Sequence, residues 1–417
     1  MDTKGISLKS LFFAAGSIHL ATAALGTLVA LEIAANGGTQ EEASLVASSY
    51  SLGFLIGCFY IGAPIARIGH IRAFSAAAAL CVICTLLLTE TSVSPAIMLA
   101  RFFTGLATAG LYGIVDAWIN ETAEDQSRGR ILSVYSIVLG VSSIVSQGLV
   151  ILYDEDYNGA FVACSGLYCL AIMVLVFART EPGRPEQTAK IRILSVFKTS
   201  PTAFVGAFVN GFLVTIILNI VPFHASELGL GSTIIATIIS MIYLGRVILQ
   251  YPLGAASDKM DRRYVIIAVS AVLSIVFLLL AIFSPRDGSH LTGAGAPALQ
   301  VLFIITSLVI GGTLLPVYSL LTAHAMDRTV PVYVGSTVVT LLFVFSVGGV
   351  AGPLVNAGFA TVFGDAAMIW LCGGLSGLFA VFAFYRTKRQ DPTPRAEHAT
   401  VRPGVQTSVQ MAPLEKR

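Results

Sequence analysis

The sequence predicts an all-α membrane protein of twelve transmembrane helices in two pseudo-symmetric six-helix bundles, and three observations predict it. First, 55% of the 417 residues are hydrophobic and 12% are charged, about half the charged share of a soluble domain. Second, the apolar residues form twelve runs, nearly all long enough at 1.5 Å per residue to cross about 30 Å of hydrocarbon. Third, nearly all Lys and Arg lie in alternate gaps between those runs, as happens when basic loops stay on the cytoplasmic side during insertion.

The runs follow in order. The first, 11–34, comes after Lys4 and Lys9 and continues through Leu31, too long for a signal-peptide core, so it reads as an uncleaved span. The second, 43–65, opens after Glu41 and Glu42 and closes before Arg67; Arg72 precedes the third, 73–90. The fourth, 95–117, ends ahead of Arg128 and Arg130, which introduce the fifth, 131–153. Asp154, Glu155 and Asp156 separate the fifth from the sixth, 159–178. Residues 179–200 form the longest cytoplasmic linker, and their IRILSVFK portion suits a short helix lying along the membrane surface. The seventh, 201–224, and eighth, 232–253, flank Glu227; Lys259, Arg262 and Arg263 precede the ninth, 264–283. Arg286, after the ninth, is the one base in an outer loop. The tenth, 299–323, leads to Arg328, followed by the eleventh, 333–357, and the twelfth, 366–385. Beyond lies a polar, Pro-containing stretch, 386–417, expected to be a disordered tail. The predicted domains are thus 1–178 and 201–385, with both termini in the cytoplasm and the chain in the cytoplasmic (inner) membrane.

Several classes of function are set aside. A net charge of +2 with no basic and aromatic stripe gives no nucleic-acid surface. Cys58, Cys81, Cys84, Cys164, Cys169 and Cys372 all fall in spans; Cys81 and Cys84 spell CxxC without a second ligand pair, so they read as small packing residues. No metalloprotease motif, nucleophile elbow or phosphate loop is present, which argues against an enzyme, a cofactor or direct drive by ATP.

The halves repeat faintly. Leu52 to His70 lies on Leu244 to Arg262 without a gap, with Leu52, Gly53 and Gly62 matching Leu244, Gly245 and Gly254. Duplicated bundles around a central site are a transporter architecture. GAASDKMDRR, Gly254 to Arg263, resembles the loop motif of the major facilitator superfamily, with Asp258 as the acid, Lys259, Arg262 and Arg263 as bases, and Asp261 in place of the second glycine. The first-half copy keeps Gly62, Arg67, Gly69 and Arg72 but has Ala66 where the acid belongs. Arg101 and Gly105 in RFFTG, and GVAGP from Gly349 to Pro353, also resemble superfamily patterns. DAWIN, Asp116 to Asn120, and VYSLLTAHAMDR, Val317 to Arg328, are similar to the bacterial YcaD-like subgroup. The resemblance implies a secondary transporter working by alternating access, with proton coupling and a small-molecule substrate.

Polar residues within the spans are the candidate site, because a buried ion in a bilayer costs about 2.5–3.5 kcal/mol and faces protein or water. Arg101, Gly105, Thr108, Tyr112 and Asp116 recur at helical spacing on the fourth span, and Ser136, Gly140, Ser143 and Gln147 on the fifth. Each stripe either lines a cavity or bonds to a neighbouring helix. Tyr243, Arg246 and Gln250 share a face of the eighth span; His19 and Glu32 on the first are relay candidates, and Asn210 and Asn219 on the seventh are weaker contacts. Gly53 and Gly57 form GxxxG, a close-packing signal. Asp258 at the loop is expected to attract Arg128 or Arg130 across the halves as a gating latch. The apolar spans favour export of an amphipathic compound by an antiporter; the alternative is a membrane sensor that binds a ligand without moving it.

Overall fold

The computed structural model describes residues 3–60, 67–122, 128–176, 189–283, 296–364, 366–389 and 411–412. Among these residues twelve helices are long and apolar enough to cross a membrane: Leu8–Ala35, Gln40–Tyr60, His70–Glu90, Ser94–Ile119, Ile131–Tyr153, Tyr157–Val176, Pro201–Asn219, Ser232–Lys259, Arg262–Phe283, Leu299–Met326, Pro331–Phe363 and Ala367–Arg389. They are the first to twelfth spans below.

Proline decides the main departures from the predicted boundaries. The seventh span stops at Asn219 and a separate short helix, Val221–Glu227, starts with Pro222 in its first turn. The tenth span is two helices, Ala296–Leu314 and Val317–Met326. Pro316 has no N–H to give and its ring clashes with the carbonyl four residues back, so the ladder breaks there. Pro252 and Pro353, by contrast, sit inside helices that continue to Lys259 and Phe363. In the linker, Ile193–Thr199 is helical. The twelfth helix runs on to Arg389, into the stretch expected to be disordered, and Met411–Ala412 of that stretch pairs in parallel with Ala189–Lys190.

The two halves repeat one packing scheme. In the first, span 1 packs on span 5, span 2 on span 4 and span 3 on span 6; in the second, span 7 packs on span 11, span 8 on span 10 and span 9 on span 12. Between halves, span 2 meets span 11 and span 5 meets span 8, which are equivalent contacts under the same relation.

Glycines show how closely the repeat holds. A Cβ on Gly53 would drive into the backbone carbonyl of Phe102, and one on Gly245 into that of Leu308. Reciprocally, Gly105 faces the carbonyl of Tyr50 and Gly311 that of Ile242. Gly245 comes 192 positions after Gly53 and Ile242 192 after Tyr50; Leu308 and Gly311 come 206 after Phe102 and Gly105. Only a residue without a side chain permits such helix approach, which in lipid replaces the hydrophobic drive with backbone van der Waals contact.

Each half has its own apolar core, one built around Leu25, Phe74, Leu111 and Phe161, the other around Ile216, Ile242, Ile266 and Leu321. Outward, apolar side chains such as Leu152, Met173, Ile282 and Leu378 are exposed, as lipid contact requires.

Alternation of the spans gives the bundle a basic end, with Lys259, Arg262, Arg263 and Arg328, and an acidic end, with Glu41, Glu42, Asp154 and Glu227. On the acidic side the halves are bonded. Asn356 Nδ2 donates to Ser44 Oγ at 3.0 Å, Ser48 Oγ donates to the Val350 carbonyl at 3.1 Å, and Ser232 Oγ donates to Asp154. Toward the basic end Gly140 of span 5 lies against Val247 of span 8, and Tyr251, one turn further along span 8, is 82% exposed.

Candidate functional site

A cavity of about 250 Å³ lies between the halves at mid-height. Its wall comes from spans 1, 2 and 4 of one half and 7, 8, 10 and 11 of the other. The break in the tenth span is part of it: Leu315 lines the cavity, and Asn210 Nδ2 caps the loosened Leu314 carbonyl at 2.8 Å.

Of the residues singled out from sequence, His19, Arg101, Tyr112, Asn210, Asn219, Tyr243 and Arg246 line the cavity. Arg101 is 2% exposed, and its guanidinium carbon lies 4.5 Å from the centroid of the Tyr50 ring. Its Nε and Nη1 have no hydrogen-bond acceptor. Arg246, from the opposite half, is near enough to His19 and Tyr243 to act on both electrostatically, and its Nε donates to Gln250 Oε1 at 3.3 Å.

His19 is held on both ring nitrogens, with Nδ1 2.9 Å from Tyr112 Oη and Nε2 2.8 Å from Ser143 Oγ. Ser143 spends its only proton on the Leu139 carbonyl at 2.9 Å. Nε2 is therefore the donor, and Nδ1 accepts from the Tyr112 hydroxyl. The imidazole is a neutral, fully bonded bridge from the first span to the fourth and fifth.

The remaining predicted residues lie behind the wall. Ser143 supports His19 and Gln250 supports Arg246. Gln147, fully buried, accepts from Thr27 Oγ1 at 3.1 Å and donates to Ser146 Oγ at 3.0 Å. Asp116 is buried with a hydrogen bond to the Tyr135 side chain, away from the cavity. Other members of the two helical stripes serve joints between helices: Gly105 packs on span 2, Thr108 Oγ1 lies 3.9 Å from Cys81 Sγ of span 3, and Gly140 meets Val247.

Tyr50, Thr22, Phe54, Phe345 and Ser346 line the cavity without having been singled out. Tyr50 had a signal. It precedes Gly53 by three residues, so it shares the face that the glycine presses onto the fourth span, where Arg101 lies.

The loop residues form a separate cluster at the basic end. Arg262 bonds Asp327 Oδ2 at 2.7 Å, Asp258 Oδ1 at 2.9 Å and Ser257 Oγ at 2.9 Å, tying the eighth, ninth and tenth spans. Asp258 is thus seated on its own loop, with its side chain 65% exposed; Lys259 is exposed, and the side chains of Arg128 and Arg130 lie outside the described residues. Asp261 grips Arg263 at 2.6 Å. Burial opposes its ionisation, but the bonds from Arg263 outweigh that and hold the carboxyl below the usual carboxylate range. Its counterpart Gly69 has φ +83°, whereas among the described residues Asp154 alone takes a positive φ without being glycine. The second-half loop therefore does not need the motif's glycine. No group of three metal-ligating side chains is found among the described residues.

The family model described as Major Facilitator Superfamily matches the chain twice, over residues 11–205 and 203–414. The chain belongs to the major facilitator superfamily. This transporter is 24% identical over 391 residues to the MFS-type transporter YcaD of Salmonella arizonae, covering 91% of this chain and 95% of that one. It is also 24% identical over 279 residues to the MFS-type transporter YfkF of Bacillus subtilis, covering 65% and 68%. Among solved structures it resembles the nucleoside transporter NupG with a TM-score of 0.75 at 14% identity, covering 94% of this chain and all of that one. A D-xylose–proton symporter gives 0.71 at 14% identity, covering 96% and 99%. The transporter is a multi-pass membrane protein with the superfamily's fold and a YcaD-like sequence.

Proposed function

We propose that this secondary transporter moves a small solute through the central cavity by alternating access, coupled to protons at His19. The observation that carries the reading is the cavity itself, which both halves line with charged and hydrogen-bonding groups at mid-height, while the halves are bonded on its acidic side. Polar lining at that depth has a cost that a path for solute explains. Among the described residues His19 is the one lining side chain of a type that serves as a proton carrier near neutral pH. It is faced by Tyr112 and Ser143 on spans 4 and 5 and by Arg246 on span 8. By the positive-inside rule the basic end and both termini belong in the cytoplasm, with the chain in the inner membrane.

Closing the basic end would bring the eighth-span loop toward the start of the fifth span. There Asp258 would exchange Arg262 for Arg128 or Arg130, a latch that forms only in the closed state. The apolar spans taken alone favour export by exchange for protons. Flux of labelled solute in proteoliposomes under an imposed pH gradient tests the whole reading. Proton-dependent accumulation supports it, and binding without flux would make the protein a sensor.

A further inference from the structure

This inference rests on the cavity as the binding site and names what occupies it. We infer that the solute is a small organic anion, its acidic group held by Arg101 and its body lying among the aromatic rings of the cavity wall.

Charge is the first ground. Arg101 and Arg246 enter from opposite halves, and among the described residues no Asp or Glu lines the cavity. Two cations facing one small space without a carboxylate repel a cationic solute and leave a neutral one unrewarded.

The second ground is the unfinished bonding of Arg101. At 2% exposure, with Nε and Nη1 lacking acceptors among the described residues, it is a buried cation with two unfilled donors. Removing such a group from water is costly unless it gains charge-assisted hydrogen bonds. Tyr50 covers one face of the guanidinium, so oxygens of an anion would reach its edge.

The wall fixes the rest of the molecule. Phe54, Tyr243 and Phe345 supply apolar and aromatic surface, which suits an organic body over a hydrated inorganic ion. On the seventh span, Asn210 has used its amide N–H on Leu314 and leaves Oδ1 without a donor. A volume of about 250 Å³ excludes larger conjugates.

The sign of coupling follows. A proton on His19 adds to the field of both arginines, so proton and anion each strengthen the binding of the other. Co-binding makes symport the coupled mode, and an inward proton gradient then drives uptake, opposite to the export that composition suggested.

The test uses the full chain in detergent, free of native cysteines and carrying Ser346→Cys on the cavity wall. Sulfonatoethyl methanethiosulfonate is expected to react about tenfold or more faster than its trimethylammonium counterpart, relative to their rates with a free thiol. Arg101→Gln should remove most of that preference, and Arg101→Lys should keep it. In parallel, 4-hydroxybenzoate, 4-hydroxybenzamide, tyramine and inorganic phosphate are compared at millimolar concentration for their effect on melting temperature. The benzoate alone should raise it by several degrees, and Arg101→Gln should abolish the rise. Equal or faster labelling by the cationic reagent, labelling by neither, no stabilisation by the benzoate, or equal stabilisation by any of the other three would overturn the inference. Neither arm measures flux, so an anion preference in a protein that moves nothing would sink the transport reading and leave the charge assignment standing.

Discussion

The Arg101 guanidinium lies over the Tyr50 ring at 4.5 Å, so the second span gives the buried cation of the fourth a π face and no counter-charge. Because the ring rather than the hydroxyl makes this contact, Tyr50→Phe should melt close to wild type. Tyr50→Leu should lose about 2 kcal/mol, the size of a desolvated cation–π contact. Thermal melting of the two variants side by side checks the difference; equal losses would assign the effect to the hydroxyl.

Helix crossing predicts a second contrast. Gly53→Ala and Gly245→Ala each push a methyl group into a carbonyl of the facing helix and should cost about 1–3 kcal/mol or more. Gly148→Ala meets nothing within 4 Å and should be neutral or stabilising, since alanine is the better helix former. Melting temperatures in detergent report all three.

These contrasts show what was legible in the chain. The twelve spans and their division into two sets followed from run length and the placement of bases, because the bilayer writes both directly into sequence. The break at Pro316 was missed since Pro252 and Pro353 have the same local signal and do not break their helices; tertiary packing decides. At the site, Arg101 and His19 stood out as polar groups in apolar runs, but Tyr50 did not, since an aromatic residue in a span is ordinary until its neighbour is known. The stripes on spans 4 and 5 could not be assigned in advance, because helix joints repeat at the same spacing as a cavity wall, and the span-4 stripe holds both, with Arg101 and Tyr112 on the cavity and Gly105 against span 2.

His19→Gln should leave solute exchange intact while removing proton-driven accumulation. Glutamine can keep hydrogen bonds to Tyr112 or Ser143 but cannot take up a proton. With wild type, anion affinity should rise as pH falls through the His19 titration, because the added charge reinforces Arg101 and Arg246. That dependence on pH should be absent in the variant, as binding measured across a pH series will report.

Asp258→Asn should increase labelling of a cavity cysteine from the basic side in vesicles. The substitution removes the acid that the proposed closed state would use, whereas here Asp258 is on Arg262 and exposed. Unchanged labelling would dismiss the latch.

Asp261 offers a pH test outside the spans. Its carboxyl is held below the usual range, so its contribution to stability is present above the ordinary carboxylate pKa of about 3.9 and is lost as pH falls through the lowered value. Asp261→Asn should melt below wild type at pH 7, and the gap should close under strongly acid conditions.

The paired glycine crossings give both halves one frame, yet the decoration differs: the position matching Arg101 is Ser307, and that matching Arg246 is Phe54. A visitor to this chamber therefore finds no mirror-related berth. On the proposed reading its acidic end would lie toward Arg101 and its body along the aromatic wall, and the pose turned end for end would not be equivalent.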